Sequence, residues 1–184
     1  ERLLNNDDES AMAEASVRRL LYHRGLSVEP NEDIDGGEKR PDFCCHQGNY
    51  RFYVEVTRIS VEKAADRTGI TEDSLELSPC RHLNDAIFHA CKSKAKQCGG
   101  ADGPVLVAIG TWHGLAALSA FDKPVVNMLL TGEAKMTWKI GVHGQQVGQT
   151  GQLTRLHSSE FLKSVSNQTI GFARSSISGL LLCS

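Results

Sequence analysis

The residues most able to do chemistry are two carboxylates, one on each arm of a predicted hairpin. The hairpin covers residues 40–58, RPDFCCHQGNYRFYVEVTR, with Asp42 in the first arm and Glu55 in the second. Two negative charges that share a face repel each other, and partial burial opposes their ionisation further. A divalent cation such as Mg²⁺ removes this penalty, because it favours a few carboxylate oxygens, waters and a phosphate. The pair therefore predicts a metal site, with a solvated edge hairpin as the open alternative.

The register of the hairpin decides whether the two carboxylates share a face. A turn centred between Gln47 and Gly48 pairs Asp42 with Tyr53 and places Glu55 one diagonal step away. Side chains alternate along a strand, so Glu55 points to the same side as Tyr53. We therefore expect both carboxylates on one face and close together.

A lysine falls on the apolar stripe of a helix predicted for residues 83–98 and closed by Gly99-Gly100. Seven residues after Ile87, the stripe reaches Lys94, and Gln97 lies beside it one turn later. A lysine on a buried stripe requires an anionic partner, whereas a lysine at the rim extends its ammonium to water. Both interpretations stay open at this point. The stripe itself consists of Leu83, Ile87, Cys91 or Ala90, and Cys98.

A third carboxylate belongs to the first predicted helix, residues 9–24. Acidic residues before this helix and Gly25 after it are typical of a helix start and a helix stop. Glu14 lies on or beside the apolar face, which indicates either a functional carboxylate or an exposed pair with Arg18. The apolar face is formed by Ala13, Val17, Leu20 and Leu21.

The other elements complete a mixed α/β domain. An unbroken apolar run at 104–109 predicts a strand that is covered on both faces. The further predictions are a strand at 26–30, a charged and exposed connection with some local helix at 60–78, a helix that Asp122 caps at 123–132, strands at 136–142 and 177–183, and a mobile Gln/Gly-rich segment at 144–151.

Composition limits the classes of protein to consider. The chain has 184 residues, 40% of them hydrophobic and 23% charged, which suits one domain over residues 1–184. The net charge of −2 indicates no global affinity for polyanions, so a nucleic-acid surface would be local. With no apolar stretch of about 18 residues and no signal-like start, we expect no membrane partner and a cytoplasmic location.

The six cysteines offer an alternative kind of site. A chain of this length does not need disulfides, so reduced thiols are expected. A zinc or thiol site would require Cys44, Cys45 or His46 to converge with Cys80 or His82. The chain has no CxxC pair to support such a site.

The order of these features resembles the PD-(D/E)XK nuclease superfamily, which has the restriction-endonuclease-like fold. The resemblance rests on PD at 41–42, EVT at 55–57 after a gap of twelve residues, and a preceding helix that carries Glu14. It implies an αβββαβ core, with a central mixed sheet flanked by helices. That core would cover about residues 9–112, and residues 113–184 would form a C-terminal extension.

The same resemblance implies roles for the three carboxylates. Asp42 and Glu55 match the positions of the metal-binding carboxylates. Glu14 matches the additional acidic residue that some members carry on the first helix. The implied cofactor is Mg²⁺ or Mn²⁺, which would be held by these three side chains.

The chain departs from the family motif at the lysine. Thr57 occupies that position, and a threonine has no charge with which to stabilise an oxyanion. Some members supply the lysine from the next helix, and Lys94 with Gln97 is the match here. Lys92 and Lys96 are alternatives for the same role.

The resemblance implies a magnesium-dependent endonuclease that hydrolyses phosphodiester bonds of DNA. The alternative is a catalytically inactive module of the same fold that binds nucleic acid or a partner protein. The two hypotheses differ in the direction of Lys94, which an active site requires near Asp42 and Glu55. Several members of the superfamily act as dimers, so a homodimer is kept as an alternative to a monomer.

Overall fold

The secondary structure begins with a helix and three strands, followed by two helices and a further strand. The computed structural model describes residues 8–31, 40–68, 81–112, 123–155, 159, 161–166 and 169–183. Among these residues, no helix is long and apolar enough to cross a membrane. The helices are α1 (Asp8–His23), α2 (Val61–Thr68), α3 (Arg81–Gln97) and α4 (Lys123–Thr131). The strands are β1 (Ser27–Pro30), β2 (Phe43–Gln47), β3 (Tyr50–Arg58), β4 (Val105–Gly110), β5 (Glu133–Ile140), β6 (Gln146–Arg155), β7 (Leu162–Ser166), β8 (Thr169–Phe172) and β9 (Gly179–Cys183).

Helix α1 ends where the sequence predicts, because Gly25 provides a left-handed residue. Gly25 has a φ of +78°. Its N–H donates to the carbonyl of Tyr22 at 2.9 Å, and the N–H of Leu26 donates to the carbonyl of Leu21 at 3.2 Å. These two bonds form the Schellman motif, which satisfies the last carbonyls of a helix. The observed bounds differ from the predicted range 9–24 by one residue at each end.

The hairpin of β2 and β3 has a different register from the predicted one. Phe43 pairs with Val54, and the strands are joined at Gly48 and Asn49. Gly48 has a φ of +58°, which two-residue hairpin turns favour at this position. The turn is therefore centred one residue later than the sequence predicted.

The corrected register brings the two carboxylates closer than expected. Since Phe43 pairs with Val54, Asp42 is level with Glu55, whereas the predicted register placed it opposite Tyr53. The residue opposite Asp42 thus changes from Tyr53 to Glu55, two positions further along β3. Residues two positions apart on a strand point to the same face. The predicted pairing is wrong. Directly opposed residues of antiparallel strands point to the same side, so the observed register agrees with the prediction that both carboxylates share a face.

Five strands form a mixed sheet in the order β1-β2-β3-β4-β9. The pairs β1–β2 and β2–β3 are antiparallel, whereas β3–β4 and β4–β9 are parallel. A parallel neighbour of β3 needs a crossover connection, and the segment that carries α2 and α3 provides it. Strand β4 is buried along most of its length, as its apolar run predicted. The structure thus shows an α/β fold with a mixed sheet flanked by helices.

Alternate residues of β3 pack on opposite sides of the sheet. One side meets α1, and the other meets the end of α3. Leu20, which was predicted on the packed face of α1, is 37% exposed, because it lies further round the helix than its buried neighbours. The α1 side contains Val17, Leu21, Phe43, Cys45, Val54, Val56 and Ala108, and the α3 side contains Tyr53, Cys98 and Val105.

The chain forms two compact units, of residues 1–122 with 175–184 and of residues 123–174. In the second unit, β5 pairs with β6 and β7 pairs with β8, each antiparallel. Most of the Gln/Gly-rich segment 144–151, for which no strand was predicted, belongs to β6. Strands β5 and β6 pair through cross-strand hydrogen bonds. Strand β6 lacks the alternation of hydrophobic and polar residues by which a strand is recognised in a sequence. The predicted cap at Asp122 lies outside the described residues.

Replacement of Gly25 by alanine tests the stop of α1. We expect Gly25→Ala to lower the free energy of unfolding by about 1 kcal/mol, because an L side chain is strained at positive φ. Gly100→Ala is the matched control, since that glycine has open space and no positive φ. Chemical denaturation followed by circular dichroism measures both. Equal stability of the two variants would contradict this role of Gly25.

Candidate functional site

The five candidate residues from the sequence meet in one cavity of the first compact unit. This cavity has a volume of about 360 Å³. At roughly 30 Å³ per water, that volume holds on the order of ten waters. Helix α1, the β2–β3 hairpin and helix α3 all contribute to its walls. The candidate residues in the wall are Glu14, Asp42, Glu55, Lys94 and Gln97.

Glu55 is the most buried of these residues. It lies on β3, between β2 and β4, and its side chain is 0% exposed. An ionised carboxylate in such a place is costly unless it has a charged or hydrogen-bonding partner. The chain therefore has to provide such partners for Glu55 from a neighbouring element.

Helix α3 provides these partners. The ammonium of Lys94 donates to Oε1 of Glu55, and the amide of Gln97 donates to the same oxygen at 3.1 Å. Lys94 also donates to Oε1 of Gln97 at 3.2 Å, so the three groups form a closed set. The other oxygen of Glu55, Oε2, is buried too, and no hydrogen-bond donor reaches it from the described residues. Lys94 thus points to Glu55, whereas Lys92 and Lys96 are exposed.

Asp42 stands at the open end of the hairpin ladder. Its Oδ2 accepts the N–H of Val56 at 2.6 Å, so the side chain replaces the next backbone acceptor of the ladder. Asn31 fixes the backbone here through its N–H to the carbonyl of Asp42 at 2.9 Å and its side chain to the carbonyl of Pro41 at 3.0 Å. The carboxylate is 7% exposed. Asp42 and Glu55 are therefore two buried acids at one level of the sheet.

Glu14 reaches the cavity from α1. Ser10, Ala13 and Glu14 all line it, and their spacing of three and four residues places them on one helical face. Arg58, at the end of β3, donates to Ser10 at 3.1 Å and pairs with Glu9 at 2.9 Å. This link holds the first turns of α1 against β3. Glu14 is accordingly half-buried in the cavity wall.

The charges of the cavity wall balance one another. Three carboxylates face three cations, so the lining residues together carry no net charge. A divalent cation would make this surface positive and therefore attractive to a phosphodiester. The acids are Glu14, Asp42 and Glu55, and the cations are Arg58, Lys63 and Lys94.

The donor set fits a magnesium site of the open kind. In the described part of the chain, no three His, Cys, Asp or Glu side chains come together as a metal-binding group. Mg²⁺ is commonly held by one or two carboxylates, with waters and a substrate phosphate as the other ligands. Asp42 and Glu55 would hold such an ion through their hard oxygens. A direct bond from Glu14 stays a prediction, because Glu14 shares the cavity but forms no three-ligand group.

Cysteine thiols near the sheet are held in the neutral form. Burial raises the pKa of the Cys98 thiol to about 12, and the charges of Glu55 and Asp42 add to the effect against the opposing charge of Lys94. Burial also raises the pKa of the Cys45 thiol to about 11. A protonated thiol is a poor nucleophile and a poor metal ligand, so these thiols do not favour thiol chemistry.

The zinc alternative gains no support from the described residues. Cys44 contacts His46, with 3.4 Å between Sγ and Nε2. Cys80 and the side chain of His82, which would complete such a site, lie outside the described residues. Within the described part of the chain, no metal-binding group includes these residues.

Four polar residues of the cavity were not singled out from the sequence. Ser60 precedes α2 and accepts the N–H of Lys63 at 3.3 Å, so it is the N-cap of that helix. The sequence SVEK carried this signal, but nothing in it indicated that α2 borders a cavity. Arg58 and Glu9 are 49 positions apart, at the end of the predicted hairpin and the start of the first predicted helix, so sequence spacing could not pair them. The four residues are Ser10, Arg58, Ser60 and Lys63.

Comparisons with protein-family models, with curated proteins and with solved structures found no match to this chain. The resemblance to PD-(D/E)XK nucleases therefore stays an inference from the motif and the order of elements. The function has to be inferred from the cavity and the chemistry of its residues.

Removal of the Lys94 ammonium tests the buried contact. We expect Lys94→Met to lower the free energy of unfolding by about 2 kcal/mol, because a fully buried carboxylate loses its cation. The double variant Lys94→Met/Glu55→Gln should recover part of that loss, since the uncompensated charge is gone. Lys92→Met, on the exposed side of α3, is the control and should change stability by less than about 0.5 kcal/mol.

Urea denaturation at pH 7 measures these variants. A Lys94→Met protein as stable as Lys92→Met would show that the Lys94–Glu55 contact contributes nothing to the fold. A double variant less stable than Lys94→Met would contradict the charge-based reason for the loss.

The raised thiol pKa values predict a loss of stability at high pH. A folded-state pKa above the usual 9.0 gives stability that is complete below pH 9 and is lost as the pH rises towards the folded values of about 11 and 12. We expect Cys98→Ala to reduce the slope of stability against pH by up to one proton, about 1.4 kcal/mol per pH unit. Denaturation at pH 8 to 10.5 measures the slope. Equal slopes for both proteins would contradict the shift assigned to Cys98.

Proposed function

We propose that this protein is a metal-dependent nuclease that hydrolyses phosphodiester bonds of DNA with Mg²⁺ or Mn²⁺. One observation carries the proposal: two buried carboxylates and a lysine from another element meet in one cavity. The carboxylates are those of Asp42 and Glu55, and the ammonium is that of Lys94. A site for phosphodiester hydrolysis needs these kinds of group together.

The free-energy cost of burying the charged Glu55–Lys94 pair supports a functional interpretation of these residues. Burial of an ion pair is commonly no more stabilising than well-packed apolar residues of the same size. A sheet built only for stability would be expected to place an apolar residue at position 55, as it does at positions 54 and 56. The chain instead has Glu55 there, with Lys94 and Gln97 to compensate its charge. Ionisable clusters of this kind are concentrated at functional sites.

The proposed roles follow from the positions of the side chains. A divalent cation bound by Asp42 and Glu55 would polarise the scissile phosphate and lower the pKa of a bound water. The Lys94 ammonium contacts Glu55 in the same cavity, where it would orient the attacking water and balance charge on the pentavalent phosphorus. Gln97 holds the lysine and Glu55 in a fixed relation through its amide. Glu14 adds a third acid to the same wall.

The order of elements is compatible with the proposed family. Helix α1, strands β1 to β3, helices α2 and α3, and strand β4 follow one another in the order αβββαβ, with α2 as an additional short helix. Asp42 precedes β2 and Glu55 lies on β3, as the resemblance implies. These similarities favour the nuclease interpretation of the motif.

One residue favours the second candidate function, an inactive module of the same fold that binds nucleic acid or a partner protein. Thr57 lines the cavity at the motif position where the family has a lysine. Its hydroxyl can donate a hydrogen bond but carries no charge. With Thr57 at the motif position, the protein can be an active nuclease only if the ammonium of Lys94 performs the role of the missing lysine. An activity assay therefore separates the two functions.

Cleavage assays test the nuclease proposal. We expect the purified protein to cut plasmid and oligonucleotide DNA with Mg²⁺ or Mn²⁺ and to be inactive in EDTA. Asp42→Asn and Glu55→Gln should each lower the rate by at least about 100-fold, because each removes a charged metal ligand. Lys94→Met should cause a similar loss.

Glu29→Gln is the matched control for these variants, since Glu29 is an exposed carboxylate on the edge strand β1. It should leave the rate unchanged. Cleavage that survives both Asp42→Asn and Glu55→Gln would contradict the proposed site. Full activity of Lys94→Met would remove Lys94 from the mechanism and contradict the assignment of its ammonium to the role of the family's lysine.

A further inference from the structure

A second lysine borders the cavity, and its ammonium takes no part in the contacts described above. Lys63 lies in the first turn of α2, and both Lys63 and the helix cap Ser60 line the cavity. The cap is formed by the Ser60 hydroxyl, which accepts the N–H of Lys63 at 3.3 Å, and by the Ser60 carbonyl, which accepts the N–H of Ala64 at 2.8 Å. The start of α2 is thus fixed at the cavity rim.

The other two cations of the wall are held by acids of the chain. Lys94 donates to Glu55 and Gln97. Arg58 pairs with Glu9, the first-turn acid of α1. The ammonium of Lys63 differs from both, because among the described residues it makes neither a hydrogen bond nor an ion pair, and the residue is exposed. Lys63 is therefore the cation of the wall that is available to an external anion.

We propose that Lys63 binds a backbone phosphate of the nucleic-acid substrate, next to the phosphate that reacts at Asp42 and Glu55. This inference rests on the proposed function and adds a substrate-binding group to it. Lysine ammonium groups on flexible stems make such phosphate contacts without reading the base sequence. The contact positions the strand across the cavity and takes no part in bond breaking.

The role of Lys63 differs from that of Lys94 in what a substitution should change. Loss of a backbone-phosphate contact weakens binding uniformly across sequences and reduces the dependence of affinity on salt. A lysine that acts only on the reacting phosphate lowers the catalytic rate constant instead. A solvated surface lysine changes neither. Measurement of binding and of the catalytic rate constant therefore distinguishes these three roles for Lys63.

The test is binding of a fluorescein-labelled DNA duplex, measured by fluorescence anisotropy in EDTA at 50 to 200 mM NaCl. We expect Lys63→Ala to weaken binding about five- to tenfold at 50 mM NaCl and to reduce the slope of log K against log [salt] by about 0.9. Lys63→Arg should restore most of the affinity, because the charge is kept. Lys96→Ala, an exposed lysine of α3 outside the cavity wall, is the matched control and should bind as the wild type does.

Failure of this inference is distinguishable from failure of the nuclease proposal, because EDTA separates binding from cleavage. If Lys63→Ala has the affinity and salt slope of the wild type, the role of Lys63 is wrong even in an active nuclease. If Lys63→Ala binds the duplex weakly but no metal gives cleavage, the role of Lys63 in phosphate binding is supported and the nuclease proposal fails. A wild-type protein that binds the duplex neither in EDTA nor with Ca²⁺ in place of Mg²⁺ would overturn the inference. In an active enzyme, Lys63→Ala should raise KM and leave kcat unchanged.

Discussion

The buried carboxylate of Glu55 is the constraint on which the rest of the site depends. It lies on β3, between two strands, with no exposure to water. A charge in that position requires a cation, and Lys94 reaches it from α3 with Gln97 beside it. The position of α3 is thereby linked to the centre of the sheet by polar contacts as well as by apolar packing. A fold that moved α3 by one turn would leave Glu55 buried without its ammonium.

The other elements bring further charged groups to the same place for identifiable reasons. Asp42 stands at the end of the hairpin ladder because its side chain accepts the N–H of Val56. Helix α1 reaches the cavity because Arg58 holds its first turns against β3. The result is a wall of balanced charge. In the proposed nuclease, this wall would accept both a cation and a phosphate.

The sequence predicted local structure correctly where a single residue determines it. It was less informative about features that depend on contacts between residues distant in the chain. Gly25 ended α1 as predicted, and Lys94 lay on the apolar stripe with an acid opposite it. The hairpin register was wrong because Gly48 sets the turn by its own φ, and the spacing of the arms does not reveal that choice. Strand β6 was missed because it has no hydrophobic alternation. Lys63 looked like any solvated charge, since only the fold places α2 at the cavity.

The proposed site requires Asp42 and Glu55 to bind one divalent cation together. The most direct measurement is anomalous X-ray scattering from crystals of the protein grown with Mn²⁺. We expect a single anomalous peak at about 2 Å from carboxylate oxygens of both residues, with waters as the other ligands. Absence of a peak at this position with millimolar Mn²⁺ in the crystal, or a peak bound only by other side chains, would contradict it.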